Sequence, residues 1–407
     1  PGERLTRTAV LGARGTLEAA DGTVLAAGPQ RTSADPTVSA AIVGSLGPIP
    51  TAQRTVYRAA GYPPDALVGQ DGLELIFQRR LAGRPGGRLL AGHRVLAQRA
   101  PKPGVTVRTT IDPRLEVAAL NALGGAYAGM TVLNIHTGAI EAAAGLAFTD
   151  LQPPGSTFKI ITASAALQAR IATLQTVFPQ ESQANIGGYV MQNAGGEVCG
   201  GALITAFAVS CDTTFAPLGI EIGARRLVSA AERFGFNQPT QIPSALESTI
   251  PSAATIGDAT AVGSTAIGQG RLLASTLEMA DAAAAIADGG RRPIPSFAPS
   301  AHPRTVAATT PAVAQEVQTM MEAVVTSGTG QSAAITGYHV AGKTGTAELA
   351  STANQQNNVK ETDAWFVGYV PDSPADVVAC ALFPANGYGA ASAAPAVRTV
   401  LETALAR

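Results

Sequence analysis

The sequence predicts a mixed α/β fold of the α+β type: an antiparallel sheet sandwiched by helices, an all-helical subdomain inserted into it, and a smaller mixed domain in front. Two observations carry this expectation. From Thr109 onward the segments run helix, hairpin, helical block, three strands, helix, an order that suits an antiparallel sheet with helices on its faces. Before Thr109 the composition differs: residues 1–108 are rich in Arg, Gly and Pro and carry only short apolar runs. We therefore expect a non-catalytic N-terminal module over 1–108 and the main domain over 109–407. Two domains are also natural for a chain of 407 residues.

The elements follow in order. GLELIFQRRL predicts a helix over Gly72–Leu81, closed by Gly83. Asp112-Pro113 is a helix start, since Asp caps free amides and Pro is tolerated in the first turn; PRLEVAALNALGGAY follows it. Met130–Ile135 and Ala139–Gly145 read as strands joined by His136-Thr137-Gly138, a hairpin signal. Pro153-Pro154-Gly155 breaks the chain, and Ser156 opens an apolar helix that runs to Gln168. Residues 170–335 read as mainly helical with many loops. Tyr338–Thr346, Ala364–Val370 and Asp376–Leu382 read as the closing strands, and Ala391–Ala406 as the last helix. The polar run Ser351–Thr362 reads as a long loop that flanks a groove.

The chain is 46% hydrophobic and 14% charged, with a formal net charge of −1. That supplies a core and leaves no basic stripe, so nucleic acid is not an expected partner. The longest apolar runs are broken by Gly and Pro, so none reads as a membrane span. The chain opens at Pro1 without Met or a signal peptide, and an N-terminal anchor or lipid is expected upstream of it. His93, His136, His302 and His339 are scattered. With no CxxC or Cys/His cluster, no metal site is expected. Cys199 and Cys211 are 12 residues apart; they either pair in an oxidising compartment or stand as two separate buried thiols. Cys380, in DVVACALF, and Trp365 read as core residues packed on the sheet.

Lysine is the informative residue type. The chain has 24 arginines and only four lysines, two of them in short motifs, Ser156-Thr157-Phe158-Lys159 and Lys343-Thr344-Gly345-Thr346. A desolvated amine can lose its proton and act as a base, which a guanidinium effectively cannot. Three residues apart on a helix, Ser156 and Lys159 share a face, so a neutral amine there is suited to take the hydroxyl proton. Taken alone, S-x-x-K is equally the pattern of an N-cap serine followed by a solvated lysine. Ser210-Cys211-Asp212 and Gly268-Gln269-Gly270 lie between the two lysine motifs, and AWFVGYVP follows the second.

In that order, with TIDPRLE, LNIHTGAIEAAAG and IGQG-x-L-x-A-S-T around the motifs, the chain resembles the penicillin-recognising serine enzymes, and more narrowly the transpeptidase domain of a class B penicillin-binding protein. The likeness covers about residues 105–407. Upstream, RGTLEAADGTVLA and GLELIFQRRLAGRPGG resemble the non-catalytic module of the same class. The Arg-rich, Ala- and Gly-heavy composition is of an actinobacterial kind.

The resemblance implies a peptidoglycan D,D-transpeptidase that needs no cofactor. Ser156 would be the acylated nucleophile, Lys159 its general base, and Ser210 a proton relay to the leaving amine. Lys343 would bind the substrate carboxylate. Thr344, Gly345 and Thr346 would line the strand along which the peptide lies, with the amides of Ser156 and Thr346 as oxyanion hole. Stem peptide and β-lactams would be the ligands, a glycan polymerase in the membrane a further partner, and the outer face of the cell membrane the location. Glu348 would tie down the strand end or touch substrate. The second motif departs from the family's Ser-x-Asn by ending in Asp212, which can only accept hydrogen bonds when ionised and which favours the protonated form of Lys159. Either β-lactam acylation is slow, or needs a rearranged or protonated Asp212, or the change is a tolerated isosteric swap. Two other functions fit the same motifs: a serine β-lactamase, against which the absence of an E-x-x-x-N signature counts, and a β-lactam sensor or cell-wall scaffold.

Overall fold

The computed structural model describes residues 4–348 and 362–407. The chain divides into two compact units, one holding the chain up to Pro113 with Ile242–Ser244, the other Arg114–Gln241 with Ala245–Arg407.

In the first unit, β1 (Leu5–Val10), β2 (Gly86–Ala91) and β3 (Arg94–Arg99) form an antiparallel sheet in the order β1-β2-β3. The expected helix over Gly72–Leu81 is two short pieces, α1 (Gly72–Ile76) and α2 (Gln78–Leu81), separated at Phe77 (φ −102°, ψ 15°). The break has a local partner in charge. Buried Glu74 accepts from Arg14 Nε at 2.7 Å and from Arg31 Nε at 2.6 Å, and Arg14 also donates to Gln78 Oε1 at 2.8 Å. A straight amphipathic pattern does not foresee two polar residues of one helix drawn to a single arginine.

The second unit is organised by a five-stranded antiparallel sheet. Helix α3 (Pro113–Leu123) precedes the hairpin of β4 (Gly129–Asn134) and β5 (Ile140–Gly145). The helix ends short of Tyr127 because Gly124 and Gly125 both take positive φ, 60° and 75°. Strands β6 (Ala341–Glu348), β7 (Thr362–Tyr369) and β8 (Val377–Phe383) complete the sheet in the order β5-β4-β8-β7-β6. Strand alternation sorts the two faces. Met130, Val132, Ala379 and Phe366 pack with Leu115 and Ala119 of α3 and with Val397 and Leu401 of the last helix, Ala393–Leu405. On the other face Thr131 meets Thr276 of the buried helix Thr276–Ala287 through a 2.9 Å hydroxyl contact. Cys380 stands in register with Thr131 and is fully buried, as is Trp365. Both were expected in the core.

Two further expectations need correction. Ser156 does not open an α-helix: Gly155–Phe158 is a 3₁₀ turn, and the α-helix proper, α4, runs Lys159–Gln168. The stretch 170–335 is helical in large part but also carries two-stranded ribbons, among them Val177–Glu181 paired with Cys199–Ala202 and Gln183–Ile186 paired with Tyr189–Gln192. Their short strands, broken by Gly187, Gly188, Gly195 and Gly196, present too brief an alternation to be read against a helical background. The loop expected over Ser351–Thr362 lies outside the described residues except Thr362, which begins β7.

Candidate active site

The turn that carries Ser156 is shaped by three backbones in close contact. Gly155 sits at φ 51°, and a Cβ on it would fall 2.5 Å from the Thr346 carbonyl oxygen of β6. Its amide donates to Gly268 O at 3.0 Å. Gly268 in turn has φ 82°, and a Cβ there would collide with Gly155 O at 1.9 Å. Both positions therefore require glycine. Thr157 Oγ1 closes the turn by donating to Pro154 O at 2.7 Å. The result is a half-buried Ser156 at the mouth of α4, directly beside the edge strand β6.

Lys159, one turn further, is fully buried. Its Nζ donates to Ser210 O at 2.6 Å and to Asp212 Oδ1 at 2.6 Å, with Ser210 Oγ at 3.4 Å. The ring of Phe215 lies under it, 5.5 Å to the centroid. Ser210 and Asp212 come from the corner between α5 (Leu203–Ala208) and α6 (Asp212–Ile222). At that corner Ser210 adopts φ 63°, a left-handed conformation that a residue with a Cβ rarely takes. Asp212 opens α6, where the helix dipole favours negative charge.

Lys343 is likewise fully buried. Its Nζ donates to Ser210 Oγ at 2.9 Å and to Thr344 O at 3.1 Å, and it stands 5.4 Å from the Phe207 ring centroid. The hydroxyl of Ser210 thus lies between the two lysine amines. Thr344 Oγ1 is 2.5 Å from Thr329 Oγ1. Gly345 serves packing inside the protein: a Cβ there would come within 2.8 Å of Pro154 O and 2.9 Å of Thr157 Cγ2, so β6 can lie against the Ser156 turn only with glycine at that position.

Burial dominates the electrostatics. Lys159 is held below the ordinary lysine range by desolvation, with Asp212 opposing through charge and hydrogen bond. Lys343 is pushed well below it by desolvation and then by the nearby Lys159, again with Asp212 opposing. Two amines and one carboxylate share a site from which water is largely excluded, so the proton inventory of the group is coupled.

The structure brings together Ser156, Lys159, Ser210, Asp212, Lys343, Thr344, Gly345 and Thr346. Glu348 is exposed at the end of β6. Sequence reasoning did not assign Gly268, Thr329, Phe207 or Phe215 a place here, nor Asn193, whose buried side chain bonds the corner at Thr213. Only the run around Gly268 carried a signal. The two cysteines do pair: Cys199 and Cys211 form a disulfide with Cα atoms 5.7 Å apart. Among the described residues no group of three or more His, Cys, Asp or Glu could hold a metal ion, and no helix is long and apolar enough to cross a membrane. His136 is occupied by a hydrogen-bond contact with Asp288, Nδ1 to Oδ1 2.7 Å.

Comparison with known proteins agrees with this geometry. The penicillin-binding protein transpeptidase domain family matches residues 128–402, and the penicillin-binding protein dimerisation domain matches residues 4–108. The chain belongs to the penicillin-binding protein transpeptidase family, in its class B branch. It is 34% identical over 285 residues to the peptidoglycan D,D-transpeptidase PbpA of Mycobacterium tuberculosis and 33% identical over 283 residues to that of Mycolicibacterium smegmatis, covering 64% of this chain in both cases. It spans 56% of the length of these relatives. Among solved structures it is similar to the D,D-transpeptidase domain of a peptidoglycan glycosyltransferase from Eggerthella lenta (TM-score 0.78, 27% identity, 97% of this chain and 98% of the other). It is also similar to the ceftriaxone acyl-enzyme complex of penicillin-binding protein A from M. tuberculosis (TM-score 0.74, 25% identity, 97% and 98%).

Proposed function

We propose that this chain is a peptidoglycan D,D-transpeptidase that works through an acyl-enzyme on Ser156. The observation that carries the reading is the pair of fully buried lysine amines on either side of the Ser210 hydroxyl, next to a serine at a helix mouth. Ser156 Oγ attacks the carbonyl carbon between the two terminal D-alanines of a stem peptide, and its proton passes to Lys159. The amides of Ser156 and Thr346 hold the oxyanion; such a hole stabilises the transition state by about 3–4 kcal/mol. The intermediate collapses, the C–N bond breaks, and the leaving D-alanine amine takes a proton relayed by Ser210. An amine of a neighbouring stem then attacks the ester and frees Ser156. Lys343 binds the substrate carboxylate, and the peptide lies along Thr344, Gly345 and Thr346 at the outer edge of β6.

Asp212 lowers the rate through its hold on Lys159. Lys159 accepts a proton only when neutral, and the carboxylate at 2.6 Å favours the charged amine. While that arrangement persists Lys159 cannot take the Ser156 proton, and acylation by β-lactams is slowed accordingly. The domain roles follow the same reading: catalysis in 109–407, a non-catalytic pedestal in 1–108 that docks a membrane glycan polymerase, and a site of action on the outer face of the cell membrane. Support comes from the D,D-transpeptidase names of the relatives and from the acyl-enzyme complex of the structural neighbour.

The test is incubation with a pentapeptide stem and an amine acceptor. Release of D-alanine with formation of crosslinked product, both lost in Ser156→Ala, is the expected result. Product formation that survives Ser156→Ala would overturn the reading, and so would a parent that does neither.

A further inference from the structure

The corner that presents Ser210 and Asp212 is tied from both sides to one β-ribbon. Cys211, between the two polar residues, is 1% exposed and disulfide-bonded to Cys199 at the start of the strand Cys199–Ala202. Thr213, the next residue, donates its amide to Asn193 Oδ1 at 2.9 Å. The same Asn193 side chain gives its two Nδ2 protons to Glu181 O at 2.8 Å and Glu197 O at 2.9 Å. Glu181 stands opposite Cys199 in the ribbon. One covalent bond and one amide therefore anchor Cys211 and Thr213 to the ribbon, alternating along the chain with the two residues that meet Lys159.

The need for such an anchor is local. A left-handed serine is strained relative to ordinary backbone, and its hydroxyl bond with Lys343 Nζ forms only once the corner is held in place. That backbone turns the Ser210 carbonyl to Lys159 Nζ while its hydroxyl reaches Lys343 Nζ. The backbone bonds Ser210 N to Phe207 O (3.0 Å) and Cys211 N to Ala206 O (2.8 Å) hold the corner from the helix side. The disulfide and Asn193 hold it from the other. An aspartate in place of Asn193 would keep the acceptor and lose both donors.

We propose that the Cys199–Cys211 disulfide and Asn193 are positioning groups for the Lys159–Ser210–Asp212 constellation, fixing the left-handed corner so that acylation of Ser156 proceeds at full rate. The inference rests on the reading of Ser156 as the acylated residue. A displacement of about 1 Å at reacting groups can cost about a hundredfold in rate, so the expected effect lies in the chemical step and not in ligand affinity.

The experiment follows benzylpenicillin acylation of the full chain by intact-protein mass over a range of drug concentrations, which separates the acylation rate constant from the noncovalent Kd. It compares the disulfide-intact parent with Cys199→Ser, Asn193→Ala and Asn193→Asp, and with parent reduced by a phosphine. We expect the rate constant to fall about tenfold or more in all four, with Kd unchanged and with the pH dependence of the rate constant displaced. A merely structural role lowers the fraction of chains that react and leaves the rate constant of those chains as in the parent; that result overturns the proposal. Should a substituted chain fail to fold, the reduced parent gives the same comparison. A disulfide-intact parent that is not acylated on Ser156 overturns the underlying reading, whereas equal rates in an acylated parent and its variants overturn the positioning role alone.

Discussion

The second unit holds two buried ion pairs of equal length in different surroundings. Lys159 and Asp212 meet at 2.6 Å, the lysine fully buried and the aspartate side chain 18% exposed. Arg292 and Asp281 also meet at 2.6 Å, 10% and 3% exposed. Burial, distance and charge are alike, so none of them marks a catalytic site. The cation differs: a guanidinium keeps its proton at any working pH, and a desolvated amine does not. Surroundings differ too. Asp281 shares its pocket with Glu278 of the same helix and is pushed up to about 7 by desolvation, with Arg292 opposing. Asp212 stands at a helix mouth beside a second lysine and a half-buried serine.

The sharpest way to break the comparison is to give the first pair the chemistry of the second. Lys159→Arg keeps the charge and a partner for Asp212 but removes the proposed base. Acylation of Ser156 should fall about a thousandfold or more, measured as the rate of adduct formation, while the protein stays folded. Removing the cation of the structural pair has the reverse outcome. Arg292→Met leaves Asp281 without its partner beside Glu278, and unfolding stability should drop by about 3–5 kcal/mol; the adduct rate of the folded fraction should match the parent.

Glu116 extends the comparison to a buried acid without a close cation. Its Oε2 accepts from Ala143 N at 2.7 Å, Oε1 has no partner among the described residues, and desolvation raises its pKa to about 7. The neutral acid is favoured in the fold, so its contribution is complete below the unfolded value of 4.5 and is lost as pH rises through about 7. Glu116→Gln should therefore be more stable than the parent at pH 8 by up to about 3 kcal/mol and no more stable at pH 4, as read by Tm. Asp281 and Asp363, raised to about 7 and about 6, bias the parent in the same direction, so the slope should shrink without vanishing. The smallest effect concerns Asp212→Asn. Loss of the carboxylate lets burial lower Lys159 further, and the acid limb of the acylation rate should move to lower pH; an unmoved limb would separate Asp212 from the basicity of Lys159.

The large elements were readable because their signals are local. The hairpin of Met130–Ile135 and Ala139–Gly145 is marked by the turn His136-Thr137-Gly138 between two short apolar runs, and β4 and β5 lie within a residue of those bounds. The candidate site residues stood out because Ser156, Lys159 and Lys343 lie in short motifs of a chain that otherwise avoids lysine. What the sequence withheld is relational. Whether Cys199 meets Cys211 depends on where a glycine-broken ribbon lies against a helical corner, and no spacing states that. Gly345 was read as lining the peptide strand, yet a Cβ there would strike Pro154 and Thr157 of the Ser156 turn and Trp365 of β7. Asn193 carries no pattern at all; its three backbone partners, at Glu181, Glu197 and Thr213, come from separate parts of the chain.

The most direct test of the account is the intact mass of the chain during a time course with benzylpenicillin, parent against Ser156→Ala. The account predicts a single persistent adduct in the parent, carried by the peptide that contains Ser156, and none in the variant. An adduct that persists in Ser156→Ala, or one in the parent that clears quickly as the drug is hydrolysed, would contradict it, the second result in favour of a β-lactamase.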